Sequence, residues 1–209
     1  MPESSPGIQP NFLQKIISSL RPHSKETSIP TENKLQSIIE RTEAGVSRTQ
    51  ATKGYDEQPR QPGKRINMCG VYSDAVTHLS RQVGLKSDIF QVRKLHELLV
   101  FNHMKIDPDQ HAFSTVTGPD GQSFLVDLSI GQFLQGERIN QQNNPLIQEL
   151  LQNGYVPLTD DNLQQYLLFT NPKMDHHSLK RLKKVRVSDL SRVPSLDYDR
   201  REEGLKKFE

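Results

Sequence analysis

The sequence is short of sulfur, of apolar residues and of charge imbalance. Its 209 residues include one cysteine and no tryptophan, with a hydrophobic fraction of 33% and 6% aromatics. One cysteine excludes an intrachain disulfide framework and any zinc site built on several thiolates, and it fits a reducing compartment. No run reaches the roughly 18 apolar residues that mark a membrane span. The opening stretch MPESSPGIQPNF has neither the basic n-region nor the apolar h-region of a secretory signal. Lys and Arg total 27 against 25 Asp and Glu, a formal charge of +2, which specifies no nucleic-acid partner. Ordinary globular chains carry roughly 45–50% apolar residues with glycine counted, and the 12 glycines here do not close the gap. The expectation is a modest core with much polar, loosely held chain.

What is present divides into segments. Residues 1–45 read as an N-terminal helical extension, partly flexible. In NFLQKIISSL, Phe12, Ile16, Ile17 and Leu20 share one helical face behind a cap at Asn11. In TENKLQSIIERTEAG, Thr31 caps, Leu35, Ile38 and Ile39 form the stripe, and Gly45 closes the helix. Residues 46–65 are polar, with Pro and Gly and no periodicity, and read as a linker or surface loop. Residues 66–172 read as an α+β domain. Residues 173–209 read as a basic, polar tail. The N-terminal helices and this tail are the candidate surfaces for a protein partner.

Within 66–172, CGVYSDAVTHLSRQVGL has Val71, Ala75, Val76, Leu79 and Val83 at helical spacing and Gly84 as a stop. Cys69 therefore opens a helix. DIFQVRKLHELLVFNHM suits a strand first and a helix in its middle, and periodicity does not decide. HAFSTVTGPDGQSFLVDLSIGQF reads as a β-hairpin turning at GPDG. NPLIQELLQNG predicts a short helix, and LTDDNLQQYLLFT a helix capped by Thr159.

A nucleophilic thiol needs a lowered pKa, an imidazole to take its proton and a group that orients the imidazole. The helix start favours thiolate at Cys69. With GPDG as the loop, paired numbers across the hairpin sum to about 239, which sets His111 opposite Leu128 and Asp127 opposite Ala112. A one-residue change in the loop would set His111 directly opposite Asp127. In either register the two are neighbours within hydrogen-bonding reach. An aspartate within FLVDLSI also requires a partner if buried, and His111 is the nearest imidazole.

Cys at a helix start, His at a strand start and Asp on the next strand, carried by CGVYSDAV, HAFSTV and GQSFLVDLSIG, resemble the transglutaminase-like branch of the papain-like cysteine enzymes over roughly residues 65–135. The resemblance implies an α+β fold in which the Cys-bearing helix packs on a small antiparallel sheet. It implies a thiol hydrolase or acyltransferase with Cys69 as nucleophile, His111 as general base and then acid, and Asp127 as the orienting carboxylate. Its substrate would be a protein amide, cut, deamidated or transamidated, with no cofactor. Phe113 stands where the family often has Trp, and Leu128 where it often has Pro. The oxyanion-hole glutamine that papain-like peptidases place six positions before the cysteine falls here on Gly63, leaving Gln61 and Asn67 as nearby candidates. By analogy, such a chain suits a small bacterial effector, cytoplasmic or delivered without a classical signal peptide into a target cell's cytosol. VDLSIG is similar to the aspartate segment of arylamine N-acetyltransferases, which share the triad order but carry a different sequence around the cysteine. A binding module with a degenerate triad is the competing class.

Other residues carry less. His176 and His177 are adjacent, so they point apart on a regular element, and no third His or Cys accompanies them; no metal is expected. His78, His96 and His103 are scattered. The run KRLKKVR lacks interleaved aromatics and reads as a solvated face.

Overall fold

The computed structural model describes residues 30–51, 69–101, 111–134, 143–171 and 173–196. The amphipathic stretch beginning at Asn11 lies outside them, as do Gln61, Gly63, Asn67 and His103.

The fold is α+β. Its sheet has four antiparallel strands in the order β1-β2-β3-β4, with β1 Lys86–Gln91, β2 Ala112–Thr117, β3 Ser123–Val126 and β4 Tyr155–Pro157. Helices α1 (Thr31–Ala51) and α2 (Cys69–Gln82) cover one face. Leu35, Ile38 and Ile39 of α1 and Tyr72, Val76 and Leu79 of α2 pack there on Val116, Phe124 and Val126. The alternate residues Phe113 and Leu125 belong to the opposite face and a second core, built with α4 (Pro145–Asn153), α5 (Asp160–Thr170) and the C-terminal segments. This is the period-2 alternation of a sheet buried on both sides. Between β1 and β2, α3 (Val92–Leu95) runs into a π-helical turn, His96–Val100.

Helix α2 forms with Ala75, Val76 and Leu79 of its expected stripe buried, but Val71 and Val83 are exposed and Val83 lies past its end; Gly84 follows with φ +78°. A polar seam fixes it on the sheet. Thr77 Oγ1 lies 3.0 Å from Ser87 Oγ and 3.2 Å from Ser114 Oγ, and Ser114 Oγ donates to the carbonyl of Ser73 at 3.0 Å. Buried hydroxyls need partners, so the seam sets where α2, and with it Cys69, stands relative to β2.

The hairpin forms with a register different from the expected one. Ser114 faces Val126 and Thr117 faces Ser123, so paired numbers sum to 240. The reason lies in the turn. Gly118 N–H donates to the carbonyl of Gln122 at 2.9 Å, adding a pair and leaving Pro119, Asp120 and Gly121 as the loop, with Gly121 at φ +80°. A three-residue loop ending on a left-handed glycine is a common hairpin connection. In this register His111 and Asp127 share a face and lie two positions apart on the diagonal, still within side-chain reach.

Three further expectations are corrected. Helix α1 does not close at Gly45 but runs to Ala51, into the supposed linker. Glycine in a helix interior costs about 1 kcal/mol, less than the buried stripe of Leu35, Ile38 and Ile39 returns. Nor does the Thr31 side chain serve as the helix cap: its hydroxyl donates to Asp120 at 2.7 Å, while the carbonyl of Pro30 accepts from Asn33 and Lys34. That contact ties α1 to the hairpin turn so closely that a Cβ on Gly118 would sit 1.8 Å from Thr31 Oγ1. Finally, residues 173–196 are not a tail outside the domain, although Lys180, Lys183, Lys184 and Arg186 do face solvent. Helix α6 (His176–Leu182) and a 3₁₀ turn (Val187–Arg192) bury Leu182, Val185, Leu190 and Val193 in the second core. Leu196 N–H donates to the Ile89 carbonyl at 2.8 Å, covering the β1 edge.

Candidate active site

Cys69 is the first residue of α2. Helix N-termini favour negative charge, because the first N–H groups lack intrahelical acceptors and the peptide dipoles add up. The half-buried thiol is hydrogen-bonded to the His111 side chain and to the backbone N–H of Ala112. Burial alone would push its pKa up. The His111 hydrogen bond and charge, with the Ala112 N–H, outweigh burial and hold it below the ordinary thiol value.

His111 precedes β2 by one residue, and its carbonyl accepts from Val92 N–H at 2.9 Å. Its ring is buried. Nε2 stands 2.7 Å from Asp127 Oδ2, which leaves Nδ1 as the nitrogen available to the thiol. The Phe133 ring meets the imidazole edge-on, with centroids 4.6 Å apart. Burial works against protonation, but the Asp127 charge and hydrogen bond, together with Cys69, carry the imidazolium pKa up to about 9. Each partner is thus shifted toward its own charged form, the direction a thiolate–imidazolium pair requires.

Asp127 follows β3 directly and donates its N–H to the Gly154 carbonyl at 3.0 Å. Its carboxylate is buried, yet both oxygens are fully engaged. Oδ2 accepts from His111 and, at 2.8 Å, from Tyr166 Oη; Oδ1 accepts from Ser129 N–H at 2.9 Å and Ser129 Oγ at 3.0 Å. Burial would raise its pKa. His111 and these donors hold it below the usual carboxylate value. Burial and the neighbouring carboxylate push the Tyr166 phenol well above its ordinary range, so it remains a donor.

Cys69, His111 and Asp127 are therefore brought together from α2, the start of β2 and the end of β3. Four participants were not foreseen. Ser129, Gln132 and Phe133 come from the short stretch after Asp127, where a 3₁₀ turn (Ile130–Phe133) folds back over the imidazole. Gln132 Nε2 lies 2.9 Å from His111 Nδ1. A Ser two residues beyond an Asp is a local turn signal, so Ser129 could have been read from DLS. Tyr166 arrives from α5, 39 positions along the chain, and no local pattern marks it. The remaining histidines stand apart from this cluster. His96 is buried with Nε2 3.3 Å from Thr170 Oγ1, and burial lowers its pKa to about 4. His78 pairs with Gln82 on the flank of α2. The His176 and His177 rings open α6 with centroids 6.2 Å apart. Among the described residues no three His, Cys, Asp or Glu side chains group as a metal site, and no helix is long and apolar enough to cross a membrane.

No protein-family model matches this chain, and neither a curated protein nor a solved structure matches it.

Proposed function

We propose that the protein is a cysteine-dependent hydrolase or acyltransferase acting on protein amide groups: a protease, a glutamine deamidase or a transglutaminase. One observation carries the reading: a buried imidazole bonded through Nε2 to a fully engaged carboxylate and hydrogen-bonded to a thiol that opens a helix. The choice of protein amides among acyl groups rests on the resemblance of the CGVYSDAV, HAFSTV and FLVDLSIG segments to transglutaminase-like enzymes.

The geometry supports the following steps. Cys69 gives its proton to His111 Nδ1, and the thiolate adds to the amide carbonyl. The resulting oxyanion would be met by N–H donors at the start of α2. As the C–N bond breaks, the imidazolium returns the proton to the departing nitrogen. The thioester then passes its acyl group to water or to an amine. Asp127 keeps Nε2 protonated and steadies the imidazolium throughout, a role its four donors support by keeping it ionised.

Incubation of the protein with a denatured proteome, followed by mass spectrometry, tests this. New N-termini, glutamine-to-glutamate conversions or glutamine–amine links that vanish with Cys69→Ala are expected, and their type names the reaction. Identical proteomes from wild type and Cys69→Ala would leave a binding module instead.

A further inference from the structure

Two groups claim one nitrogen. With Nε2 committed to Asp127 at 2.7 Å, His111 Nδ1 is the atom that must receive the Cys69 proton, yet the Gln132 amide Nε2 already stands 2.9 Å from it. An amide nitrogen only donates, so with the Gln132 amide in this orientation the contact occupies the Nδ1 lone pair and requires Nδ1 to be unprotonated. A hydrogen bond to the neutral form of a base opposes its charging.

We propose that Gln132 is a positioning residue that, while its amide sits on Nδ1, favours the neutral, Nε2-protonated form of His111 over the thiolate–imidazolium pair and so restrains the thiol until the amide leaves. The inference rests on reading Cys69 and His111 as nucleophile and base. The latch is built locally: Gln132 N–H donates to the Ser129 carbonyl at 3.1 Å, and Ser129 holds Asp127, so the same turn grips both ends of the ring system. Phe133, the next residue, fixes the ring edge-on. The ionisable groups bearing on the imidazole are Asp127 beyond β3, Cys69 on α2 and Tyr166 on α5, the last through Asp127. Each would remain when the latch is removed. When Gln132 moves, S–H breaks and Nδ1–H forms.

Because Cys69 is the chain's single thiol, the pH dependence of alkylation by iodoacetamide reports it alone and needs no substrate. Gln132→Leu removes the donor at similar size. The thiolate–imidazolium form is then expected to gain roughly 2- to 10-fold over the neutral pair, the range of one hydrogen bond. The alkylation midpoint should move to lower pH while the alkaline plateau rate stays put. Gln132→Met should do the same and serves as the second variant if Leu misfolds. A midpoint that is unmoved or higher, or a change confined to the plateau, which reports access to the thiol, overturns the latch. His111→Ala is the control for the underlying reading: if it leaves the wild-type midpoint in place, the nucleophile–base pair itself fails, whatever Gln132 does.

Discussion

At the residue scale, the proposed chemistry turns on the charge state of one pair, Cys69 and His111. The His111 pKa of about 9 means that amide turnover should fall as pH rises through that value, because the departing nitrogen then finds no proton on the imidazole. Alkylation of Cys69, which needs no such proton, should not fall with it. Asp127→Asn removes the charge that raises His111 and should move the alkaline limb of turnover to lower pH, read from rate–pH profiles. The same shifts bear on stability. His111 is raised, so its contribution is complete below 6.5 and is lost as pH climbs through about 9. Asp127 is lowered, so its contribution is complete above 3.8 and is lost as pH falls through its folded value. Cys69 is lowered, so its contribution grows as pH rises toward 9.0 and opposes the loss at His111. Thermal unfolding should therefore lose stability as pH falls below about 3.8, a limb that flattens in Asp127→Asn, with little net slope on the alkaline side while thiolate and imidazolium stay paired. The residue types of this triad were legible in the sequence because a thiol at a helix start and an aspartate within an apolar strand are each anomalous locally. Gln132 and Tyr166 were not, since a glutamine in a turn and a tyrosine on a helix stripe have ordinary local explanations.

At the element scale, periodicity identified α1, α2, α4 and α5, and the GPDG signal identified the β2–β3 hairpin. Register was harder, because it depended on a single backbone hydrogen bond, Gly118 to Gln122, that no side-chain pattern announces. Strand β4 was missed: three residues, Tyr155–Pro157, are too few to show alternation, and Pro157 suits the edge position it occupies. The two threonines expected as caps behave differently. Thr159 caps α5, accepting from Asn162 N–H at 3.1 Å, so Thr159→Ala should cost about 1 kcal/mol in denaturant unfolding while leaving Cys69 reactivity unchanged. Leu79→Ala, in the fully buried layer between α2 and the sheet, should cost about 2–5 kcal/mol. It should also blunt Cys69 reactivity, because α2 then loses part of what fixes its height over β2.

At the scale of the whole molecule, the segments that composition set aside as extension and tail complete the two cores. α1 closes one, and residues 173–196 close the other. The misreading has a physical source: charged side chains dominate KRLKKVR, while only Leu182 and Val185 of that run turn inward. Truncation after residue 172 should therefore expose the second core and lower the melting temperature sharply, read by calorimetry; an unchanged melting temperature would restore the tail. Together the two cores hold α2, the start of β2 and the end of β3 so that Cys69, His111 and Asp127 stand in one hydrogen-bonded relay. The most direct test is the ultraviolet absorbance of the Cys69 thiolate against pH in the wild type and in His111→Ala. A wild-type midpoint well below that of His111→Ala, where burial would act on the thiol without its partner, is expected. Coincident titration curves would contradict the relay.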